Sequence, residues 1–105
     1  MAPGRIVAIV AALTLALSVS ADAATVQITM ENLVISPAEA SAKVGDTIEW
    51  INKDIFAHTA TARNGDWDVT MPPKKTVTSA LKKVGTVEYY CRFHPNMKAT
   101  LVVAP

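Results

Sequence analysis

Apolar and polar residues alternate over short runs along most of this chain. From Thr25, Val26, Ile28 and Met30 fall on one face and Thr25, Gln27, Thr29 and Glu31 on the other, which predicts a half-buried strand. Leu33 to Ser36 is a second short apolar run, closed by Pro37. Ala38-Glu39-Ala40 reads as loop or a single helical turn. Ser41 to Val44 resumes a strand, and Gly45-Asp46 signals a turn. Thr47 to Asn52 alternates again with Ile48 and Trp50 inward, until Asn52-Lys53-Asp54 breaks it. Phe56 to Ala62 is β-prone and carries His58. Asn64-Gly65 predicts a hairpin turn before a strand over Trp67 to Thr70. Thr76 to Leu81 follows the Pro72-Pro73 break, and Lys82 to Gly85 is a turn. In Thr86 to Cys91, Val87, Tyr89 and Cys91 share a face. In the last strand, Lys98 to Ala104, Ala99, Leu101 and Val103 have the parity of Met97. No stretch after Thr25 sustains a 3.6-residue period over a helix length. Short strands with turn signals between them predict an all-β sandwich or barrel.

The first residues break this pattern. Arg5 precedes an almost wholly apolar run, Ile6 to Val19, and Ala21-Asp22-Ala23 fits a small-x-small cleavage site. That is the pattern of a secretory signal peptide over 1–23, with one domain over 24–105 exported to the periplasm. The run is shorter than the roughly 20 residues a membrane span needs, so an uncleaved anchor or a buried helix is the weaker reading. Of the 105 residues, 82 then remain, carrying nine basic and eight acidic side chains. A near-neutral chain with no run of like charge offers no nucleic-acid or membrane surface.

A domain this small often needs a staple, and a single cysteine, Cys91, excludes an internal disulfide. A lone cysteine in an exported chain is a free thiol or a protected one. Cys91, His94 and Met97 stand in a C-x2-H-x2-M array between two strands, so thiol, imidazole and thioether share one tight loop. Two imidazoles and a thiolate with a weak axial thioether are the donor set of an electron-transfer copper. His58 is the only other histidine, and it is the one that can complete the set. Parity turns Cys91 and Met97 inward, and a buried thiolate needs a positive partner such as a metal ion.

These residues resemble the cupredoxins, small blue copper proteins. Cys91-x2-His94-x2-Met97 with upstream His58, the run Val44 to Asp54, and Glu88-Tyr89-Tyr90-Cys91 carry the resemblance over most of Thr25 to Ala104. The two-residue gap before Met97, with Pro95 after the histidine, matches the amicyanin branch. The resemblance implies a Greek-key β-sandwich with one copper ion at one end. His58, Cys91 and His94 would form its plane and Met97 the axial position. It also implies that the electron leaves through the exposed edge of His94, with Phe93, Pro95, Met71 and Pro72 as an apolar docking rim. A quinoprotein amine dehydrogenase as donor and a c-type cytochrome as acceptor are the partners of that branch. Thr59 departs from the asparagine that many members carry after the first histidine.

The function expected is a monomeric periplasmic carrier of single electrons. A copper-binding carrier or resistance protein is the alternative, but such sites tend to be open and rich in methionine or histidine. An enzyme is disfavoured by counting: both histidines are used, and a dinuclear electron-transfer copper site needs a second cysteine. Zinc is disfavoured by the thioether. Met30 is expected in the core and Met71 at the surface, and Asp66 and Asp68 read as turn and exposed-strand carboxylates.

Overall fold

A computed structural model describes residues 22–105; the expected signal peptide lies almost wholly outside them. Nine strands make up the described chain: β1 Thr25–Glu31, β2 Val34–Ser36, β3 Glu39–Lys43, β4 Thr47–Asn52, β5 His58–Ala62, β6 Asp68–Met71, β7 Thr76–Ala80, β8 Gly85–Tyr90 and β9 Lys98–Ala104. They form a four-stranded sheet, β2-β1-β4-β7, and a five-stranded sheet, β3-β9-β8-β5-β6. Both are mixed, because β1 pairs with β4 and β3 with β9 in parallel. Three sequential pairs are hairpins, β1–β2, β5–β6 and β8–β9; the other connections change sheet. The result is an all-β sandwich, as the alternation predicts.

The inward faces are the ones that parity assigns. Ile28, Met30, Ile48 and Trp50 come from the first sheet and Ala60, Tyr89, Leu101 and Val103 from the second. Trp50, Trp67 and Tyr89 pack edge to face or tilted, with ring centroids 5.3–5.6 Å apart. Aromatic groups at this spacing add to the apolar burial. The Trp50 indole donates to Ser79 Oγ at 2.9 Å, so the buried ring leaves no orphaned donor.

Two departures from the expected strand bounds change the core. Glu39 and Ala40 begin β3 instead of forming a loop, since Ala40 and Ala42 face inward where β3 lies against β9. Alanine gives little hydrophobic signal, and the pairing that makes the strand is with residues some 60 positions away. β6 runs one residue further than predicted, to Met71. Met71 is opposite His58 in the ladder and fully buried, not at the surface.

The β1–β2 turn has Asn32 and Leu33 at φ 55° and 64°. Positive φ in both central residues suits a two-residue hairpin. Asparagine tolerates it, whereas leucine is strained there.

Leu101→Ala, at a fully buried site, is expected to cost about 2–5 kcal/mol. Val34→Ala, at a site 56% exposed, should stay within about 0.5 kcal/mol. Urea unfolding of the two variants side by side measures both.

Candidate metal centre

The end of the sandwich where β4 and β8 finish carries the site. Two consecutive turns make the loop between β8 and β9. The amide of His94 donates to the Cys91 carbonyl (3.3 Å), and the amide of Met97 to the His94 carbonyl (2.8 Å). Each is an i to i+3 bond, so two-residue gaps between the donors are the spacing of β-turns. Pro95 and Asn96 occupy the central positions of the second turn, where proline presets φ and asparagine is favoured. The Cys91 amide donates to the Met97 carbonyl (3.0 Å) and closes the loop.

His58 opens β5, and the segment before it is held by two buried polar side chains. Asn52 Nδ2 lies within hydrogen-bond distance of the carbonyls of Phe56 (2.8 Å), Met71 (3.2 Å) and Pro72 (3.1 Å). Its Oδ1 accepts from the Asp54 amide at 2.9 Å. Asp54 in turn accepts the amides of Asn32 (2.7 Å) and Leu33 (3.1 Å), which holds the strained β1–β2 turn. Its Oδ2 lies 2.7 Å from His58 Nε2. Burial opposes the charge on Asp54, but the His58 ring and the two amides outweigh it and keep the carboxyl below its usual range. A carboxylate only accepts, so Nε2 carries the proton and His58 Nδ1 keeps its lone pair free.

That lone pair faces Cys91. Sγ lies 3.6 Å from His58 Nδ1 and 3.7 Å from His94 Nδ1, and the three donor atoms are all within 4.8 Å of one another. Thiolate and imidazole bonds to a divalent first-row ion run about 2.3 and 2.0–2.1 Å; two of them 120° apart put sulfur and nitrogen about 3.8 Å from each other. The two observed sulfur–nitrogen distances suit three donors that could share one metal ion. Cys91 and His58 are fully buried, and His94 is part-exposed. With Nδ1 turned to the sulfur, the opposite edge of His94 points outward. Met97 is buried at the end of the same loop.

Thr59 links the start of β5 to the β8–β9 loop. Its amide donates to Cys91 Sγ (3.3 Å), and its hydroxyl accepts the Arg92 amide (2.8 Å). Thr59 Oγ1 lies 2.9 Å from Thr61 Oγ1, which is 2.7 Å from Asp68 Oδ1. The carboxylate end sets the direction. Thr61 spends its only proton on Asp68, so it accepts from Thr59, and Thr59 is left to accept from Arg92. The Thr61 hydroxyl holds the Asp68 carboxyl below its ordinary range; slight burial works against this, and the Arg92 guanidinium adds to the lowering. Asp68 is thus an exposed-strand carboxylate, as expected, and also the anchor of this chain of hydroxyls.

The structure brings His58, Cys91 and His94 together, with Met97 on the same loop. It corrects the expected rim. Phe93 and Pro95 line the surface depression at His94, but Met71 is fully buried and cannot belong to it. Leu33 lines it instead, and Phe56 stands 5.6 Å from the His94 ring; both are more than 40% exposed. Sequence reasoning assigned no role to Asn52, Asp54, Thr61 or Asp68. The one available signal was the carboxylate four residues before His58.

Comparison with known proteins agrees with this architecture. The cupredoxin-like domain family matches residues 5–103, so the chain belongs to the cupredoxin-like proteins. Within that family its likeness is to amicyanin. The amicyanin of Paracoccus versutus superposes with a TM-score of 0.64 at 25% identity, over 82% of this chain and 85% of that one. A Cu(I) form of a variant amicyanin gives 0.65 at 27% identity, over 80% and 85%. The purple cupredoxin of Nitrosopumilus maritimus, at 23% identity and a TM-score of 0.65 over 75% of this chain and 99% of its own, shares the fold. The methylamine utilization protein MauL of Methylorubrum extorquens is 29% identical over 82 residues, 74% of this chain and 72% of that protein.

Thr59→Val removes the acceptor of the Arg92 amide, and Thr59→Ser retains it. The valine variant should lose about 1–3 kcal/mol and show faster exchange of the Arg92 amide. The serine variant should keep both near the original values. Hydrogen exchange and urea unfolding of the metal-free protein check this.

Proposed function

We propose that this protein is a copper protein that carries single electrons, in which His58, Cys91, His94 and Met97 would hold the ion. The observation that carries the reading is the Cys91 sulfur, fully buried and flanked at 3.6 and 3.7 Å by two imidazole nitrogens. A bound copper ion supplies a one-electron couple between its cuprous and cupric states. The chain's own residues hold that couple steady. Asp54 fixes the tautomer and tilt of His58, and the turns fix His94 and Met97 to Cys91. Thr59 ties the two loops together. Burial keeps water from the sulfur, so little needs to rearrange when charge changes.

The outward edge of His94 is the natural port for the electron. Leu33, Phe56, Phe93 and Pro95 surround it with apolar surface, which suits a transient protein partner. Export to the periplasm after loss of 1–23 is supported by the pattern of the first residues. A quinoprotein amine dehydrogenase as donor and a c-type cytochrome as acceptor fit the likeness to amicyanin and to a methylamine utilization protein. The reading is of a carrier, not an enzyme.

Purified protein given cupric ion should develop an intense absorption band at about 600 nm, from the short thiolate–copper bond. Ascorbate should bleach it and reoxidation restore it; Cys91→Ser should never show it. A colourless wild-type protein sinks the reading. Asp54→Asn, which loosens the support of His58, should weaken copper binding about 10–100-fold in competition with a chelator, while urea unfolding of the metal-free variant reports on the fold itself.

A further inference from the structure

The opposite end of the sandwich holds a buried carboxylate whose partner is the first residue after the expected leader. Asp46 is 3% exposed, in the turn between β3 and β4. Its Oδ2 accepts the Lys43 amide at 2.9 Å, and its Oδ1 lies 2.9 Å from the backbone nitrogen of Ala24. Ala24 is itself fixed, because its carbonyl accepts the Thr47 amide at 3.0 Å and starts the parallel register of β1 on β4. The Asp46 backbone completes the knot. Its amide donates to the Lys43 carbonyl, and its carbonyl accepts from Leu81, just after β7. Ala24 follows directly on Ala21-Asp22-Ala23.

We propose that Asp46 is the receptor for the α-ammonium created when the leader is removed after Ala23, so that export itself completes an ion pair that pins β1 to the sheet. Hydrolysis of the Ala23–Ala24 bond places the hydroxyl of water on the Ala23 carbonyl carbon and a proton on the Ala24 nitrogen. That nitrogen takes up a further proton from solvent at neutral pH. An uncharged amide at 2.9 Å from the carboxylate becomes a cation at the same place, and a charge-assisted bond replaces a neutral donor. The other charged groups at this spot are the side chain of Lys43, the carboxylate with which this sequence ends at Pro105, and Asp22, which leaves with the leader. The inference rests on the leader reading and is independent of the copper reading.

The pairing favours the charged amine, so the folded-state pKa of that amine lies above its unfolded value of about 8. Its stabilisation is then complete below about pH 8 and is lost as pH rises through the raised value. Three measurements test this. The mass of the exported protein should correspond to a chain beginning at Ala24. In that chain the α-amine, followed by NMR titration, should titrate above about 8. A chain retaining Ala23, with every side chain of the domain intact and its ammonium about 3.8 Å further along the backbone, should titrate at the ordinary value. It should also melt several degrees lower at pH 7, a gap that closes as both are taken to high pH. Asp46→Asn should return the Ala24 amine to the ordinary value. A different processed end shows that the leader reading fails. An ordinary α-amine in the Ala24 chain, or equal melting of the two chains at pH 7, overturns the pairing.

Discussion

Everything at the functional end of this protein answers to the burial of one sulfur. Cys91 Sγ has no exposure to solvent, and a thiolate in that position is unfavourable unless its surroundings compensate it. The groups around it come from two separate parts of the chain. The β8–β9 loop brings His94, and the start of β5 brings His58 and the Thr59 amide. Neither part makes a site alone. The sandwich matters to the chemistry because β5 and β8 are neighbours in one sheet, which sets Thr59 against Arg92 and His58 against Cys91.

Behind the imidazole of His58 stands a second constraint. Asp54 is a single buried carboxylate with three partners: one imidazole and the amides of a strained hairpin turn. It makes the β1–β2 turn and the segment leading into β5 parts of one hydrogen-bonded unit. That unit also sets the surface, since Leu33, held at positive φ, projects onto the depression beside His94. One carboxylate therefore orients a proposed ligand and shapes the face a redox partner would meet.

The two ends of the sandwich use the same device for different purposes. At the functional end, buried Asn52 and Asp54 satisfy loop amides and carbonyls that no sheet ladder reaches. At the other end, Asp46 gathers the β3–β4 turn and the start of β1. Buried polar groups survive in a small domain only when fully partnered. Tyr89 shows the exception: its hydroxyl is buried beside Trp50 and Trp67 with no partner among the described residues, and burial pushes its pKa up.

Alternation of side chains determined, by itself, most strands, the inward set of large residues and the all-β class, because each is a local property of a pleated chain. It also determined the Cys91, His94 and Met97 array, since two β-turns set that spacing within seven residues. Composition nominated His58, but only the sandwich brings it 3.6 Å from a sulfur 33 residues away. The first two residues of the edge strand β3 escaped reading because its inward residues are alanines and its partner is distant. Met71 was read at the surface because the expected strand stopped at Thr70, whereas β6 carries it opposite His58 and into the core. Asp54, Asn52 and the run from Thr59 through Thr61 to Asp68 carry no local pattern. Their roles come from hydrogen bonds between chain segments, and only the tertiary structure decides which donors and acceptors meet.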